Sequence, residues 1–484
     1  MHTVFKRTLM DSYINRLQTN FNKFLKTKFY VNANQIQILT NPTDFYNHLK
    51  FKILHSKDRI FLSSLYLGKN ETELVETISK ALNSNPNLKV YLLFDGLRST
   101  REKNFSSATL LSNLIAKHDH DRVFVSLYFN PSFNSSIWKD KLIPKRFNEI
   151  FGLQHMKFYG FDNDYVMLSG ANLSDDYFKN RQDRYYCFQS TGLNNYYFRL
   201  HRLVSSLSYK LYPNKNSKTG FNLSWNSETV PEPIALNKRK FLKYSSKLLE
   251  NFMNQEIKQQ DDVKNKDTIV YPISSFVPLF HKYQDKSNEK ISIMSIFNTI
   301  QKTDNLNWVF TTGYFNPIKS LQRILINSQV SNSHVITASK FANSFYQSRG
   351  ISKDIPNAYL YLTYKFYKNV ERNDKLDQIH IKEWQNGIIH QPNGWSYHAK
   401  GVWLLDQISK MPFLTVIGSS NYTNRSYSLD LETNLVLITT DTGLRERMND
   451  EVQNILNYSE DIQLRKLKIN NNVKILTSIF NRLL

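Results

Sequence analysis

The chain of 484 residues contains a single cysteine, Cys187. One thiol makes neither an intrachain disulfide nor a cysteine-rich zinc site, so both are excluded and a reducing compartment fits. Cys187 lies in the apolar-aromatic run Tyr185-Tyr186-Cys187-Phe188, where a buried, inert thiol is expected rather than a nucleophile. Long apolar runs are missing too. No stretch reaches the ~18 apolar residues that a bilayer-spanning helix needs, so any membrane association is expected to be peripheral. A secretory-type apolar segment is also lacking. Acids are in deficit, with 41 Asp and Glu against 63 Lys and Arg and a net charge of +22. Such an excess draws nucleic acid, an anionic membrane or a phosphorylated substrate, and it fits solubility and organellar targeting equally well. Gly68-Lys69 lacks the preceding glycine of a P-loop, which removes that route to phosphate binding.

What is present is ample material for a core, with 40% hydrophobic and 14% aromatic residues. Residues 1–34 form a basic segment. Lys6, Arg7, Arg16, Lys23, Lys26 and Lys28 face one acid, Asp11, while Val4, Phe5, Leu9, Met10, Tyr13, Ile14 and Leu17 recur at helical spacing. This pattern reads as a mitochondrial targeting helix, with a surface helix as the alternative. Residues 35–212 alternate strand and helix signals. Arg59 to Tyr66 reads as a strand, Glu71 to Leu82 as a helix, and Lys89 to Phe94 as a buried strand ending at the turn Asp95-Gly96. Residues 213–267 turn polar and Pro-punctuated, a connector with one helix at about Lys238 to Asn254. Residues 268–442 repeat the alternation, with strands at Trp308–Thr312, His334–Ala338, Phe413–Ile417 and Thr433–Ile438 and a helix at Lys319–Ile326. Residues 443–484 read as helical. The fold class expected is a duplicated α/β unit, two sheets flanked by helices.

The repeat carries the chemistry. The first half has His155-Met156-Lys157, Ser169-Gly170-Ala171-Asn172 and Asp183; the second has His398-Ala399-Lys400, Gly418-Ser419-Ser420-Asn421 and Glu432. Eleven residues separate Asn172 from Asp183, and eleven separate Asn421 from Glu432. One His-x-Lys is no signal, but two copies with matching Asn and acid are strong. On a strand, His and Lys two residues apart project from the same face. Each histidine suits nucleophilic or proton-transfer work near neutral pH. Lysine and asparagine supply donors to phosphoryl oxygens, and a buried acid fixes the imidazole tautomer. Two halves face to face then supply one attacking histidine and one proton carrier. Two lysines take the place of a metal's charge, so neither metal nor cofactor is expected.

His155-Met156-Lys157 with Asp162 five residues on resembles the His-x-Lys-x4-Asp motif of the phospholipase D superfamily. That resemblance implies a phosphohistidine intermediate at a pseudo-twofold interface. It places His155, Lys157, Asp162, His398 and Lys400 in the catalytic set, the motif aspartate having its usual structural part. Asp183 and Glu432 match the acids that orient the histidines. Phe61 to Gly68, Asp95 to Arg101, Leu153 to Lys157, Thr337 to Tyr346 and Trp395 to Gly401 resemble the phosphatidylglycerophosphate synthase family, its fungal members most of all. The likeness runs from about residue 35 to the end. It implies transfer of a phosphatidyl group from CDP-diacylglycerol to glycerol 3-phosphate with release of CMP, a step toward phosphatidylglycerol and cardiolipin. It also implies peripheral attachment to an anionic membrane, the mitochondrial inner membrane on its matrix side, with no nucleic-acid partner. One departure stands out: the fifth residue after Lys400 is Leu405, and Asp406 comes one place late, where it should face the other side of a strand.

Blander readings stand beside these. Asn172 and Asn421 are phosphate contacts or simply turn residues. Asp183, between Arg181 and Arg184, is an orienting acid or a surface ion-pair partner. Arg98 and Arg101 hold substrate phosphates or sit in a solvated loop. Phe341, Phe345, Tyr346, Tyr359, Tyr361 and Tyr364 are core or a wall for acyl chains. For the whole chain, the rival functions are a phosphodiesterase acting on nucleic acid and a non-catalytic module binding anionic lipid.

Overall fold

The structure, a computed structural model, describes residues 2–102, 104–132, 152–225, 227, 229–233, 237–255, 267–301 and 306–463, with 470, 471, 473, 474 and 477. The first half carries β1 (Phe29–Tyr30), β2 (Ile36–Leu39), β3 (Arg59–Ser63), β4 (Lys89–Asp95), β5 (Val123–Tyr128), β6 (Phe158–Phe161), β7 (Tyr165–Ser169), β8 (Arg181–Gln182), β9 (Tyr185–Gln189), β10 (Tyr209–Pro213) and β11 (Phe221–Ser224). The second carries β12 (Thr268–Ser275), β13 (Leu306–Thr312), β14 (Ser333–Ala338), β15 (Ile379–Trp384), β16 (Ser396–Tyr397), β17 (Lys400–Asp406), β18 (Pro412–Gly418), β19 (Glu432–Thr439) and β20 (Ser459–Asp461).

Two nine-stranded mixed sheets result. The first runs β11-β10-β5-β4-β3-β6-β7-β9-β2, the second β20-β15-β14-β13-β17-β18-β19-β12-β1. Laid over each other, β10 through β2 match β20 through β12, strand for strand. β3, β4 and β5 run parallel, as do β13, β14 and β15. β6, β7 and β9 continue antiparallel, as do β17, β18 and β19. The fold is therefore a duplicated α/β unit.

Helices cover both sheets because each sheet has two apolar faces to bury. On the outer face of the first lie helices Pro42–His55, Thr72–Ser84 and Ser107–His118. The second of these buries Leu74, Val75, Ile78, Ala81 and Leu82 as one stripe. Ser106 caps the third, its hydroxyl accepting from the Thr109 amide. The outer face of the second sheet takes helices Glu289–Ile300, Lys319–Asn327 and Ile355–Arg372. Between the sheets, one apolar cluster joins Phe158, Val166, Leu200 and Val204 of the first half to Val270, Trp403, Ile417 and Leu435 of the second. Helices Thr191–Ser206, Lys238–Asn254 and Thr442–Leu456 contribute to it.

Several elements differ from the sequence reading. The connector is folded where described: β11 extends the first sheet, and the helix at Lys238–Asn254 buries Phe241, Leu249 and Phe252 in the central layer. The polar run 259–262 lies outside the described residues. The region after 443 is not wholly helical, since β20 pairs with β15. Helix His2–Phe21 packs on the second half. Tyr13, Leu17 and Phe21 are buried there, and the Tyr13 hydroxyl donates to the Ile296 carbonyl at 3.0 Å.

Candidate active site

The strand entering each acid pairs with the segment leading to the opposite half's histidine. In the second half, β16 runs parallel to β8 of the first. In the first, Gln154 bridges Leu431. The His155 amide donates to the Leu431 carbonyl at 3.0 Å, and the His398 amide to the Gln182 carbonyl at 2.8 Å. The histidines therefore precede their strands instead of lying on them, which corrects the sequence expectation. Their segments leave one sheet to line up against the other, and only Lys400 and the residues after Lys157 enter β17 and β6.

The consequence is a crossed pair. His155 Nδ1 lies 2.9 Å from Glu432 Oε1, and His398 Nδ1 lies 2.6 Å from Asp183 Oδ2. A carboxylate can only accept, so each Nδ1 donates and each Nε2 keeps its lone pair; on the His398 side Lys400 Nζ also lies 2.8 Å from Nδ1 and 3.4 Å from Nε2. Neither half contains both members of a working pair. Asp183 is fully buried, not a surface ion-pair partner, and its Oδ1 also accepts from the Arg184 amide. Glu432 accepts from the Ser419 hydroxyl. At the position matching Ser419 the first half has Gly170, where an added Cβ would fall 2.6 Å from Asp183 Oδ1 and 2.8 Å from Lys400 Nζ. That close approach explains the glycine.

Both lysines are buried at the centre. Lys157 Nζ donates to the His155 carbonyl at 2.7 Å and Lys400 Nζ to the His398 carbonyl at 2.8 Å. Lys400 stands 3.8 Å from Asp183. Burial pushes Lys157 down to about 7 and Lys400 to about 8, and each cation lowers the imidazole beside it. Burial, then the neighbouring lysine, holds both histidines well below their ordinary value, hence neutral. Burial likewise raises Glu432 to about 7. Lysines crowded in this way, with the nearby carboxylates already engaged by the two imidazoles, make a site for an anion.

The remaining candidates are placed as follows. Asn172 Nδ2 donates to the Tyr177 hydroxyl at 3.0 Å, and Asn421 Oδ1 accepts from Thr312 at 3.3 Å. Both asparagines close turns beside the site. The Arg98 guanidinium lies 4.7 Å from the Tyr66 ring centre. Arg101 sits by Glu102, 3.9 Å away. Asp95 accepts from the Gln154 amide at 3.0 Å, fixing the approach to His155. Asp162 is not among the reacting groups. It sits at the far end of β6, where Oδ1 accepts from the amides of Lys57, Asp58 and Arg59. The late Asp406 is absorbed by a register shift between Leu404 and Leu405. Its carboxylate accepts from the amides of Ile408 and Ser409.

Sequence reasoning passed over several neighbours. The Tyr177 hydroxyl lies 3.2 Å from His398 Nε2. The Arg181 guanidinium lies 4.4 Å from the Tyr177 ring centre. Tyr314 is edge-on to His398 at 5.7 Å and continues into Phe345 and Tyr359, which places part of the aromatic set at the site's edge. Tyr66 and Tyr314 both follow the site strands at matching places, a repeat signal that was there to be read. Tyr177 has Ser426 as its counterpart, so the repeat concealed it.

No family profile matches the chain. A CDP-diacylglycerol–glycerol-3-phosphate 3-phosphatidyltransferase of Saccharomyces pastorianus is 49% identical over 490 residues, covering 98% of this chain and 92% of its own. The mitochondrial enzyme of that name from Gallus gallus is 30% identical over 89% of this chain and 79% of its own. Among solved structures, phosphatidylserine synthase of Haemophilus influenzae shares the fold with a TM-score of 0.71, 21% identity and 97% coverage of both chains. At these identities, over nearly the whole length, the chain belongs to the CDP-diacylglycerol–glycerol-3-phosphate 3-phosphatidyltransferase family.

Proposed function

We propose that this protein transfers the phosphatidyl group of CDP-diacylglycerol to glycerol 3-phosphate and releases CMP, by way of a phosphatidyl-histidine. The observation that carries the reading is the crossed pairing, His155 with Glu432 and His398 with Asp183. It gives two neutral imidazoles with oriented Nε2 atoms around two buried lysines. The family name supports the substrates.

His155 is the nucleophile. Its ring is 13% exposed against 6% for His398, and its Nε2 attacks the diacylglycerol-side phosphorus while the P–O bond to CMP breaks. The imidazolium so formed is stabilised at Nδ1 by Glu432. Lys157 and Lys400 hold the phosphoryl oxygens in a site closed to bulk water, where their charge acts strongly. His398 faces the entering oxygen, placed to take a proton from the glycerol hydroxyl. That hydroxyl oxygen then attacks phosphorus, and the P–N bond breaks. Asn172, Asn421, Arg98 and Arg101 are assigned to the substrate phosphates. Tyr314, Phe345 and Tyr359 offer an apolar side for the lipid. No helix of the described residues is long and apolar enough to cross a membrane. The working place is the mitochondrial inner membrane, matrix side, with peripheral attachment; vertebrate relatives carry the mitochondrial name.

The test uses CDP-diacylglycerol labelled at the phosphatidyl phosphate. Wild-type protein acquires label that glycerol 3-phosphate chases into product. His155→Ala acquires none and loses at least about 10³-fold in turnover. Label persisting on His155→Ala would refute the assignment.

A further inference from the structure

The duplication is symmetric in backbone but not around the two Nε2 atoms. On the His398 side Tyr177, buried, stands 3.2 Å from Nε2 with its ring edge-on to the imidazole at 5.1 Å. Asn172 Nδ2 donates to the same hydroxyl at 3.0 Å. That hydroxyl accepts from Asn172, so its own proton points to His398 Nε2. Burial keeps Tyr177 protonated. The matching residue near His155 is Ser426, whose hydroxyl instead accepts from the Asn421 amide at 3.3 Å. Among the described residues, the hydrogen bonds of the His155 ring engage Nδ1 alone. One imidazole is open to a phosphorus; the other has its reactive nitrogen held by a phenol at 3.2 Å, with Lys400 Nζ a little further off at 3.4 Å.

The two half-reactions have unequal proton needs. A phosphate monoester has its second pKa near ~6, so CMP departs near neutral pH as a dianion without taking a proton. An alkyl hydroxyl keeps its proton there and must give it up to a base before it can attack phosphorus. A neutral His398 is in the right state to be that base and in the wrong state to be an acid.

We propose that Tyr177 is a positioning residue that reserves His398 for the second half-reaction, deprotonation of the acceptor hydroxyl, and leaves CMP release to His155 and the two lysines. The proposal rests on the reaction set out above and narrows its proton traffic. In the first step the bond from His155 Nε2 to phosphorus forms, the bond to the CMP oxygen breaks with its electron pair on CMP, and no proton moves. In the second, the acceptor hydroxyl displaces Tyr177 from His398 Nε2 and gives its proton there. Its oxygen bonds phosphorus, the P–N pair returns to His155, and His398 later releases the proton to solvent.

The experiment follows each half separately by rapid quench. CMP release is measured from CDP-diacylglycerol alone, then lipid product after glycerol 3-phosphate is added. Wild type should give a burst of about one CMP per site, followed by transfer. Tyr177→Phe keeps the ring, and with it the Arg181 and His398 packing, while removing the hydroxyl. It should retain the burst within about 3-fold and slow transfer by about 10-fold or more, with the acid limb of the transfer step displaced. His398→Asn should retain the burst and lose transfer. Equal slowing of both steps in either variant overturns the proposal, as does wild-type transfer in Tyr177→Phe. A wild-type protein that gives neither burst nor lipid product is a different result, and it overturns the reaction itself. Thermal melting of Tyr177→Phe close to wild type separates these outcomes from misfolding.

Discussion

Lys157 and Lys400 are cations that burial has brought close to giving up their protons, at about 7 and about 8. Their depressed values mean that the charge needed to receive a phosphoryl group drains away as pH rises through that window in the free enzyme. Once a phosphoryl anion is bound, its charge restores the lysine protons. The expected result is an alkaline limb in kcat/KM between about 7 and 8, with the limb in kcat displaced upward, read from full pH profiles of both. Coincident limbs would show that the lysines are not the groups titrating. At this scale the sequence showed which histidines, lysines, asparagines and acids gather at one place, because two His-x-Lys copies with equally spaced asparagines and acids leave little freedom. It did not reveal which acid serves which histidine. Spacing along the chain reports on one half at a time, and the pairing is made between halves. Tyr177 and Arg181 were hidden because they belong to one copy only.

Strand β6 is anchored at its far end by Asp162, a residue the motif placed among the chemical groups. Three backbone amides at the start of β3 rely on one of its carboxylate oxygens. Asp162→Ala is expected to cost about 1–3 kcal/mol of stability, through donors left without a partner. It should lower the melting temperature and leave kcat close to wild type. A large fall in kcat with unchanged melting would return Asp162 to the reaction. The shifted Asp406 carries the same lesson, since the register shift between Leu404 and Leu405 takes up the extra residue and leaves Lys400 in place. Strand and helix signals in both halves were legible because the apolar spacing is regular. The connector helix at Lys238–Asn254 was legible too, but its burial was not: its polar composition hid that Phe241, Leu249 and Phe252 enter the layer between the sheets. Helix His2–Phe21 is similar. Its basic residues suggested an address label, while Tyr13, Leu17 and Phe21 make it part of the second half's outer layer.

Across the whole molecule, the halves are fastened behind the site by Arg184. Its guanidinium meets Glu451 at 2.7 and 3.0 Å, donates to the Val416 carbonyl at 2.7 Å and packs 3.8 Å from the Trp403 ring centre, all of them in the second half. A Cβ at Gly401 would fall 1.9 Å from Arg184 Nη1, which accounts for glycine after Lys400. Removing one partner leaves the other charged and buried, so Arg184→Met should destabilise by about 3–5 kcal/mol. In a denaturation experiment with separate probes, the two halves should then begin to come apart before either unfolds. A variant that melts as one unit at the wild-type temperature would count against this role. Duplication of the fold was visible in the sequence through the repeat, but a clasp between copies leaves no periodic trace.

Because each carboxylate sits across the divide from the imidazole it steadies, both oriented imidazoles belong to the seam between the copies and to neither copy alone. Opening that seam by a small rotation would disable nucleophile and base in one movement, and closing it would restore both.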